Sequence, residues 1–388
     1  MRDAAAADDA LAFGERLIAL LDGGRFTATY KYAVLLALVD ECRAGVDAAG
    51  RAPGVLSGKR VGRRVFELYW PQARPLGDHR VRQSTRRNDV VAKIEARKRE
   101  LALSPGLPLA EARRRHPAAI AALERDVVTT VIRMPLPKLQ RFGWGGQAVE
   151  HRFIYDFGWP DEVSPGRVQR ADFDDRLHLR PGAEHWLVRM AGLIRPLVQQ
   201  RWAAFTAERN ADHLEEAQLE AFLFGAQRRS LAPVRDPLLD AQEGACFYCG
   251  QPVVTGAEVD HFVPWAKHPD DGLHNLVVAH APCNNRKRDA LPAVAPHLQR
   301  WSHRFDDGTR GGRRFAAVAA AVDWPQWPQR TLGAARSLYL WLPPGTPLWQ
   351  QGSTFVPSHP QDATALLGQV GPTRLAAEAN PDYDTGEH

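Results

Sequence analysis

Three of the four cysteines in the chain, Cys246, Cys249 and Cys283, fall within 38 residues. Cys246 and Cys249 are separated by two residues, and His280 stands at the same separation before Cys283. Thiolate and imidazole are ligands that Zn²⁺ prefers, and two such pairs close a tetrahedral structural site. A segment this short has little hydrophobic core of its own, so a bound metal would hold it folded. The spacing therefore predicts a structural Zn²⁺ site formed by these four residues.

The rest of the composition is that of an ordinary globular protein of 388 residues, 44% hydrophobic and 24% charged. It excludes collagen-like and wholly disordered chains, and at roughly 150 residues per domain it predicts two or three domains. The sequence shows neither an apolar run of about 18 residues nor a secretory signal pattern, so we expect no membrane span and a cytoplasmic location. Cys42 stands alone in an apolar helical pattern and is predicted to be an inert core thiol.

Helical spacing of apolar residues dominates the chain outside the cysteine-rich segment. It predicts helices over 4–22, 27–44, 183–209 (restarting at Pro196) and 214–224, with a strand at 149–157. The expected fold is mainly α with a small α+β module around the cysteines. We predict five segments: a helical N-terminal segment at 1–48, a basic and mostly helical region at 59–240, the α+β module at 241–305, a C-terminal helical extension at 306–360 and a flexible tail at 361–388.

Positive charge is concentrated at residues 59–115, which carry sixteen Lys and Arg against six Asp and Glu in a chain of net charge +5. A helix predicted over 85–103 places basic side chains outward, next to the aromatic residues of 66–70. These side chains are Arg86, Arg87, Lys93, Arg97 and Lys98. A basic helix beside aromatic side chains suits a phosphate backbone. A solvated helix face is the alternative, and the sequence leaves both open.

Polar residues lie between and after the two pairs of zinc ligands. Asp260 and His261 end an alternating, strand-like segment shortly before Pro264. Asn275 begins a second short strand, and Asn284 follows the last cysteine in a segment compatible with a helix. The module is therefore predicted to consist of a strand, a loop, a second strand and a helix.

This order of residues, from Cys246 to the helix after Cys283, resembles the HNH endonucleases of the ββα-metal fold. The resemblance covers about 244–292 and implies a zinc-stapled nuclease domain. It implies that His261 is the general base, since imidazole titrates near neutral pH and can take a proton from water. It also implies that Asp260 and Asn284 hold one divalent ion, Mg²⁺ or Mn²⁺, through hard oxygen atoms.

The same resemblance gives Asn275 a structural part in catalysis. Its amide is expected to hydrogen-bond across the loop and to fix the backbone that aims His261. Neighbouring strand residues point to opposite faces, so Asp260 and His261 reach one site only if the strand ends in a bend or a bulge. Asn285 replaces Asn284 as ligand if the register shifts by one residue.

Basic residues follow the second zinc-ligand pair. Arg286, Lys287 and Arg288 lie close to a helix N-terminus, which already favours anions. We predict that they contact nucleic-acid phosphates, with a solvated helix face as the alternative. His274 is either a further phosphate-facing group or simply a neighbour of the second strand.

The function predicted from the resemblance is metal-dependent cleavage of double-stranded DNA. The flanks around 27–38, 66–71 and 231–239 look similar to those of bacterial HNH proteins, which implies a role in restriction or phage defence. Region 59–240 would then bind DNA or select the target, and control by a regulatory protein partner or a homodimer is compatible with this reading.

A non-catalytic, zinc-ribbon-like module that binds nucleic acid or protein is the alternative. Asp260, His261, Asn275 and Asn284 are all retained. A binding module needs none of these four residues, so their joint presence favours the nuclease.

Overall fold

The computed structural model of the protein describes residues 2–23, 27–85, 89–143, 148–211, 216–225 and 230–370. The chain divides into two compact units. The first comprises residues 1–42 and 53–227, and the second comprises residues 43–52 and 228–388. The division into five segments made from the sequence stays a prediction.

Helices dominate the first unit, and its strands are short. Its helices are α1 (Arg2–Gly23), α2 (Tyr30–Ala44, ending in the second unit), α3 (Gly58–Tyr69), α4 (Val90–Glu100), α5 (Leu109–Arg115), α6 (Pro117–Arg133), α7 (Pro135–Lys138), α8 (Pro165–Val168), α9 (Ala183–Arg189), α10 (Ala191–Glu208) and α11 (Glu216–Phe224). Its strands are β1 (Val55–Ser57), β2 (Pro75–Leu76), β3 (His79–Arg80), β4 (Arg141–Phe142), β5 (Val149–Glu150), β6 (Tyr155–Phe157) and β7 (Arg176–Leu179). Strands β1, β7 and β6 form an antiparallel sheet in that order, and β2–β3 and β4–β5 form antiparallel ribbons.

Helix α3 illustrates why these segments are helical. Ser57 lies just before it, and the Ser57 hydroxyl accepts a hydrogen bond from the Arg60 backbone N–H, which caps the first turn. Val61, Val65 and Tyr69 recur every four residues on one face and are fully buried. Helix α6 packs closely against α3. The core of the first unit is therefore built from amphipathic helices, as the apolar spacing predicts.

Much of the positive charge of residues 59–115 is neutralised within the first unit. Ion pairs of the described residues in this region include Arg60–Glu41, Arg63–Glu124, Arg64–Asp40, Arg64–Glu67, Arg80–Glu95, Arg97–Glu100, Arg113–Glu124 and Arg115–Glu111. Lys98, predicted to point outward, is buried, and its ammonium donates to the carbonyl oxygens of Trp70, Ala73 and Pro105. Much of this charge therefore supports the fold.

Local differences from the predicted elements have simple causes. The strand predicted at 149–157 is divided into β5 and β6, which pair with different partners. The helix predicted over 183–209 is interrupted at Met190, whereas Pro196 lies inside α10. The basic helix begins after Asp89, whose carboxylate accepts from the Ala92 N–H and caps α4.

The second unit carries the α+β module and the C-terminal helices. Its helices are α12 (Ala232–Ala241), α13 (Ala281–Lys287), α14 (Gln299–Ser302), α15 (Arg310–Ala321), α16 (Pro328–Tyr339) and α17 (Pro360–Leu367). Its strands are β8 (Ala257–His261), β9 (Leu276–His280), β10 (Pro347–Gln351) and β11 (Thr354–Pro357). Strands β8 and β9 pair antiparallel, as do β10 and β11. The fold is mainly α with a small α+β module, as predicted.

Strand β9 is buried on both faces. Val277 and Ala279 belong to one hydrophobic cluster, which also contains Trp301 of α14. Leu276 and Val278 belong to a second cluster. Since successive strand side chains alternate between faces, each face of β9 contributes to a different cluster. The α+β module therefore shares its core with the helices that follow it.

The C-terminal part of the chain is more ordered than predicted up to residue 370. Residues 361–367, assigned to the flexible tail, belong to α17 and bury Ala363 and Leu367. The rest of the predicted tail, 371–388, lies outside the described residues. Cys42 is fully buried, as predicted for a core thiol. Within the described ranges, no helix is both long and apolar enough to cross a membrane.

Candidate active site and metal centre

The predicted zinc ligands come together in the second unit. The Sγ atoms of Cys246, Cys249 and Cys283 and a ring nitrogen of His280 all lie within 4.8 Å of one another. In a tetrahedral Zn²⁺ site, thiolate sulfurs lie about 3.8 Å apart. Three thiols and one imidazole at this separation fit a structural zinc ion, which would join the start of the module to the N-terminal end of α13.

The surrounding backbone orients this cluster. Gly250 has a φ of +71°, and its N–H donates to the Cys246 carbonyl oxygen at 2.9 Å, which closes the first turn. The Nε2 atom of His280 lies 3.1 Å from the Pro252 carbonyl oxygen. Because a carbonyl only accepts, Nε2 carries the proton, and Nδ1 is left facing Cys249 at 3.3 Å. The imidazole is therefore oriented for metal binding.

The pKa values of the cysteine thiols show how difficult it is to ionise all three sulfurs of the cluster. Burial raises the pKa of Cys246, but hydrogen bonds from nearby backbone N–H groups outweigh it and leave that pKa below its ordinary value. Burial and the charges of Cys246 and Cys249 raise the pKa of Cys283 to about 12. Three adjacent sulfurs therefore resist full ionisation unless a cation shares their charge.

Strands β8 and β9 place the polar residues on defined faces. Their register is unbroken through His261, and the chain bends directly afterwards, at residues 262–263. The chain therefore bends after His261, as expected for the strand end, but the bend follows both Asp260 and His261, and β8 itself contains no bulge. Glu258 and Asp260 are two residues apart and share the face that contacts α13. The side chain of His261 contacts the loop between the strands instead.

Asp260 is 8% exposed, and its Oδ2 atom accepts two hydrogen bonds. The Tyr248 hydroxyl donates at 2.6 Å, and the Lys287 ammonium lies at 2.9 Å. Lys287 also donates to the His261 carbonyl oxygen at 2.8 Å. Burial lowers the pKa of Lys287, and the negative charge of Asp260 opposes that shift. Lys287 was predicted to contact a phosphate; its ammonium is instead buried and ties the end of β8 to α13.

His261 pairs with an acid that the sequence did not single out. Its Nε2 atom lies 2.8 Å from Oδ1 of Asp271, and its ring lies 5.2 Å from that of Trp265. Since a carboxylate only accepts, Nε2 is the donor and the neutral ring keeps its lone pair on Nδ1. Nδ1 is therefore the atom that can take a proton.

Asn275 spans the loop that follows His261. Its side-chain oxygen accepts from the Val263 N–H at 2.8 Å, and its Nδ2 donates to the carbonyl oxygens of Val263 and Asp270 at 3.1 and 3.0 Å. The Asn275 carbonyl accepts from the Phe262 N–H at 2.7 Å. Since the residue is fully buried, these bonds fix the backbone of the loop at both ends.

The C-terminal helical part holds the same loop from outside the module. The Asp270 carboxylate accepts from the Gly272 N–H at 2.8 Å and from the Thr331 hydroxyl at 2.6 Å. The Trp324 indole donates to the Asp271 carbonyl oxygen at 2.7 Å. Residues far along the chain therefore position the acid that contacts His261.

Asn284 lies at the face shared by Glu258 and Asp260. Its Nδ2 atom donates to Oε2 of Glu258 at 2.8 Å. Because a carboxylate binds only the NH₂ side of the amide, the Asn284 oxygen is directed away from Glu258. Asn285, the other candidate ligand, is exposed. The oxygens of Asp260, Glu258 and Asn284 are of the hard type that Mg²⁺ and Mn²⁺ prefer, and their role as ion ligands stays a prediction.

The remaining candidates in the second unit differ in their surroundings. Arg286 and Arg288 are exposed at α13 and the residue after it. His274 is 5% exposed, and its ring contacts Phe305 and Phe315. Burial and the charge of Arg304 lower the pKa of His274 to about 3. His274 is therefore a neutral core residue and does not face a phosphate.

The candidates in the basic helix lie in the first unit. Lys93 is exposed on α4. Arg97 is partly buried and lies 3.3 Å from Glu100 as an ion pair. Arg86 and Arg87 lie outside the described residues. Their contact with nucleic acid stays a prediction.

Sequence reasoning missed three residues that contact the candidate site. Glu258 could have been found from the sequence, because a residue two positions before Asp260 lies on the same face of the strand. Asp271 lies in a loop with a neighbouring acid, and no period indicates which one meets His261. Tyr248 lies between two zinc ligands, and its contact with Asp260 arises only when the strand packs on the knuckle.

Residues 246–293 match the family model of the HNH endonucleases. This segment is an HNH endonuclease domain, and its Cys3His group fits a zinc-binding member of the family. No curated protein and no solved structure matches the chain. The comparison therefore covers the α+β module, from the first zinc ligand to the segment after α13.

Proposed function

We propose that the protein is a metal-dependent endonuclease that hydrolyses phosphodiester bonds of double-stranded DNA. The observation that carries this proposal is the arrangement of β8, β9 and α13, which places the His261–Asp271 pair at the end of β8, directly after Asp260, and packs Asn284 of α13 on the same strand. A protein that only binds nucleic acid has no use for an oriented base together with hard oxygen donors in one small module.

In this proposal His261 acts as the general base. Its Nδ1 atom takes a proton from the water that attacks the phosphorus, and general-base catalysis of this kind contributes about 10²–10⁴-fold to rate. Asp271 holds the proton on Nε2 and stabilises the imidazolium that forms. Asn275 is a positioning residue, since its hydrogen bonds fix the loop from which Asp271 reaches the ring.

Asp260 and Asn284 would hold one divalent ion, Mg²⁺ or Mn²⁺. Such an ion, when bound, supplies charge neutralisation at the phosphoryl oxygens and at the leaving 3′ oxygen. Glu258 keeps the Asn284 oxygen directed away from itself. Both donors to Asp260 bind its Oδ2 atom, so within the described residues Oδ1 is the oxygen that remains for an ion.

The proposal also assigns roles around this centre. The exposed guanidinium groups of Arg286 and Arg288 bind DNA phosphates. The zinc site holds the module in register, and its reduced thiols suit a cytoplasmic location. Region 59–240 would select the target, with Lys93 among the residues that contact DNA, and the resemblance of the flanks favours restriction or phage defence, under a regulatory partner or as a homodimer.

Plasmid nicking in Mg²⁺ or Mn²⁺ tests the proposal. Wild type should convert supercoiled plasmid to the open circle, and His261→Ala should lower the rate about 100-fold or more. His359→Ala replaces an exposed histidine of the same unit and should cut like wild type. Equal rates for wild type and His261→Ala contradict the assignment. DNA binding without cleavage by any of them favours the zinc-ribbon-like binding module.

A further inference from the structure

A cavity of about 290 Å³ lies beside the first zinc-ligand pair in the second unit. Its walls are the end of α12, the turn from Cys246 to Gly250, the segment from Arg300 to Arg304 and the first turns of α15. The proposed catalytic residues do not line it. The proposed nuclease mechanism therefore leaves this cavity without a role.

The cavity is strongly basic. Its cationic lining consists of four arginines and one histidine, against one carboxylate, Glu243. These basic residues are Arg300, His303, Arg304, Arg310 and Arg314. With the histidine neutral, the lining carries a net charge of +3. Such a concentration in a concave surface raises the local concentration of anions.

Arg304 is the most buried of these cations, with 7% of its surface exposed. Its Nη1 donates to the carbonyl oxygens of His274 and Leu276 at 2.9 and 2.8 Å, and its guanidinium lies over the Phe315 ring at 4.6 Å. Within the described residues, its contacts include no carboxylate. Burial lowers the pKa of this guanidinium to about 9. A buried cation without an opposite charge is costly, and a bound anion would offset that cost.

The other arginines are held so that an anion can reach them. Glu243 contacts both Arg310 and Arg314, at 2.6 and 2.5 Å. Arg310 and Glu243 are more than half exposed, so these ion pairs are weak and readily exchanged. Thr309 caps α15 by accepting from the Gly312 N–H, which places the positive end of the helix dipole at the same wall. Arg300 donates to the carbonyl oxygen of Phe247, and both residues line the cavity.

We infer that this cavity is an anion site, separate from the proposed active site, which binds a phosphate group through Arg300, Arg310 and Arg314. Guanidinium groups bind phosphate oxygens in bidentate pairs, and that geometry favours phosphate over a spherical anion. The phosphate has two chemical sources, the backbone of a nucleic-acid strand or a free nucleoside monophosphate. The inference concerns binding alone and does not depend on cleavage by the HNH domain.

Two binding measurements on the full-length, zinc-loaded protein test this site without added Mg²⁺ or Mn²⁺. The first uses fluorescence anisotropy of a labelled 20-base-pair duplex, and the second uses calorimetric titration with dAMP. The double variant Arg310→Gln/Arg314→Gln should weaken binding of at least one probe about tenfold, since it removes charge-assisted hydrogen bonds to the phosphate. Both residues lie at the surface, so thermal unfolding should be unchanged.

Two further variants distinguish specific binding in the cavity from non-specific attraction of the probes to positive charge. Glu243→Gln should strengthen binding of the same probe several-fold, because it releases Arg310 and Arg314 from their acid. Arg313→Gln removes an exposed arginine of the same helix that does not line the cavity, and should leave affinity within about twofold.

The pattern of results identifies the source of the phosphate or overturns the site. Weakening for the duplex alone assigns a nucleic-acid strand, and weakening that includes dAMP assigns a free phosphate ester. For the duplex, the loss of a phosphate contact also makes the negative slope of log affinity against log salt concentration shallower by about 0.9. Unchanged binding of both probes, or an equal loss in Arg313→Gln, overturns the inference. A protein that binds as expected but never cuts DNA contradicts only the proposed nuclease.

Discussion

The Nε2 atom of His261 lies 2.8 Å from Oδ1 of Asp271, which sits in the loop that joins β8 to β9. The carboxylate fixes one tautomer of the ring and leaves the lone pair on Nδ1. Replacing Asp271 by Asn puts an amide there, whose NH₂ group can donate to Nε2 and favour the opposite tautomer. We expect Asp271→Asn to lower the single-turnover nicking rate about 100-fold, with duplex affinity unchanged.

Asp289→Asn is the matched control, since it removes an exposed carboxylate from the same module. It should cut at the wild-type rate. An Asp271→Asn protein that cuts as fast as wild type would show that His261 needs no acidic partner.

Because Lys287 pairs with Asp260, we expect its replacement to lower stability, whereas the sequence alone predicts a loss of phosphate binding. Lys287→Met leaves a nearly buried carboxylate without its cation, which costs about 3–5 kcal/mol. Chemical denaturation should therefore show a large fall in the free energy of unfolding of the second unit. Arg286→Met, one residue earlier and exposed, should change stability by less than about 0.5 kcal/mol and should weaken DNA binding instead. Comparable stability of the two variants would contradict a structural role for Lys287.

Glu258 orients the Asn284 amide, so its effect should appear in ion binding. Glu258→Gln offers an NH₂ group as well as an oxygen, and the Asn284 amide is then free to turn. Loss of such an orienting partner costs about 10–100-fold in metal affinity. Titration with Mn²⁺ followed by electron paramagnetic resonance should show the weaker binding without any cleavage assay. Unchanged Mn²⁺ affinity would remove Glu258 from the site.

The sequence predicts the zinc ligands better than the distant contacts that hold the module. The four zinc ligands follow from short spacings within one module, and the structure brings them together. The roles of Asp260, His261 and Asn284 follow from the resemblance to HNH endonucleases and stay predictions. Trp324 binds Asp271 and Thr331 binds the neighbouring Asp270, in each case from more than 50 residues away, and no local period encodes such contacts. The five-segment division was drawn from local composition, which does not show that residues 43–52 join the second unit.

Among the sequence features used, the count of basic residues was the least reliable guide to which side chains face solvent. Counting lysines and arginines located the basic stretch at 59–115, but a count does not show whether each charge faces solvent or an acid. Arg64 contacts the buried Asp40, and Lys98 lies in the interior. The arginines around the cavity beside the zinc ligands are spread over 300–314, and their convergence depends on tertiary packing.

The zinc site should be required for the fold of the module. Cys283→Ser replaces one thiolate by a hydroxyl, a poor zinc ligand, and the free energy of zinc binding contributes directly to folding. We expect less than one zinc per chain by elemental analysis and rapid proteolysis within 246–293. Cys42→Ala alters a cysteine outside the cluster and should retain one zinc. A Cys283→Ser protein with full zinc content would contradict the ligand set.

His274 should make the second unit sensitive to acid. Burial, with a contribution from Arg304, lowers its pKa to about 3 from the ordinary 6.5. Between these values the unfolded chain binds more protons than the folded one, so the free energy of unfolding falls as pH falls. From pH 6.5 to 4.5 the loss from this residue is about 2 kcal/mol. Urea denaturation across this range should show the loss in wild type and in His359→Leu, an exposed control, but not in His274→Leu. An identical pH profile for His274→Leu and wild type would show that this histidine does not set the acid sensitivity.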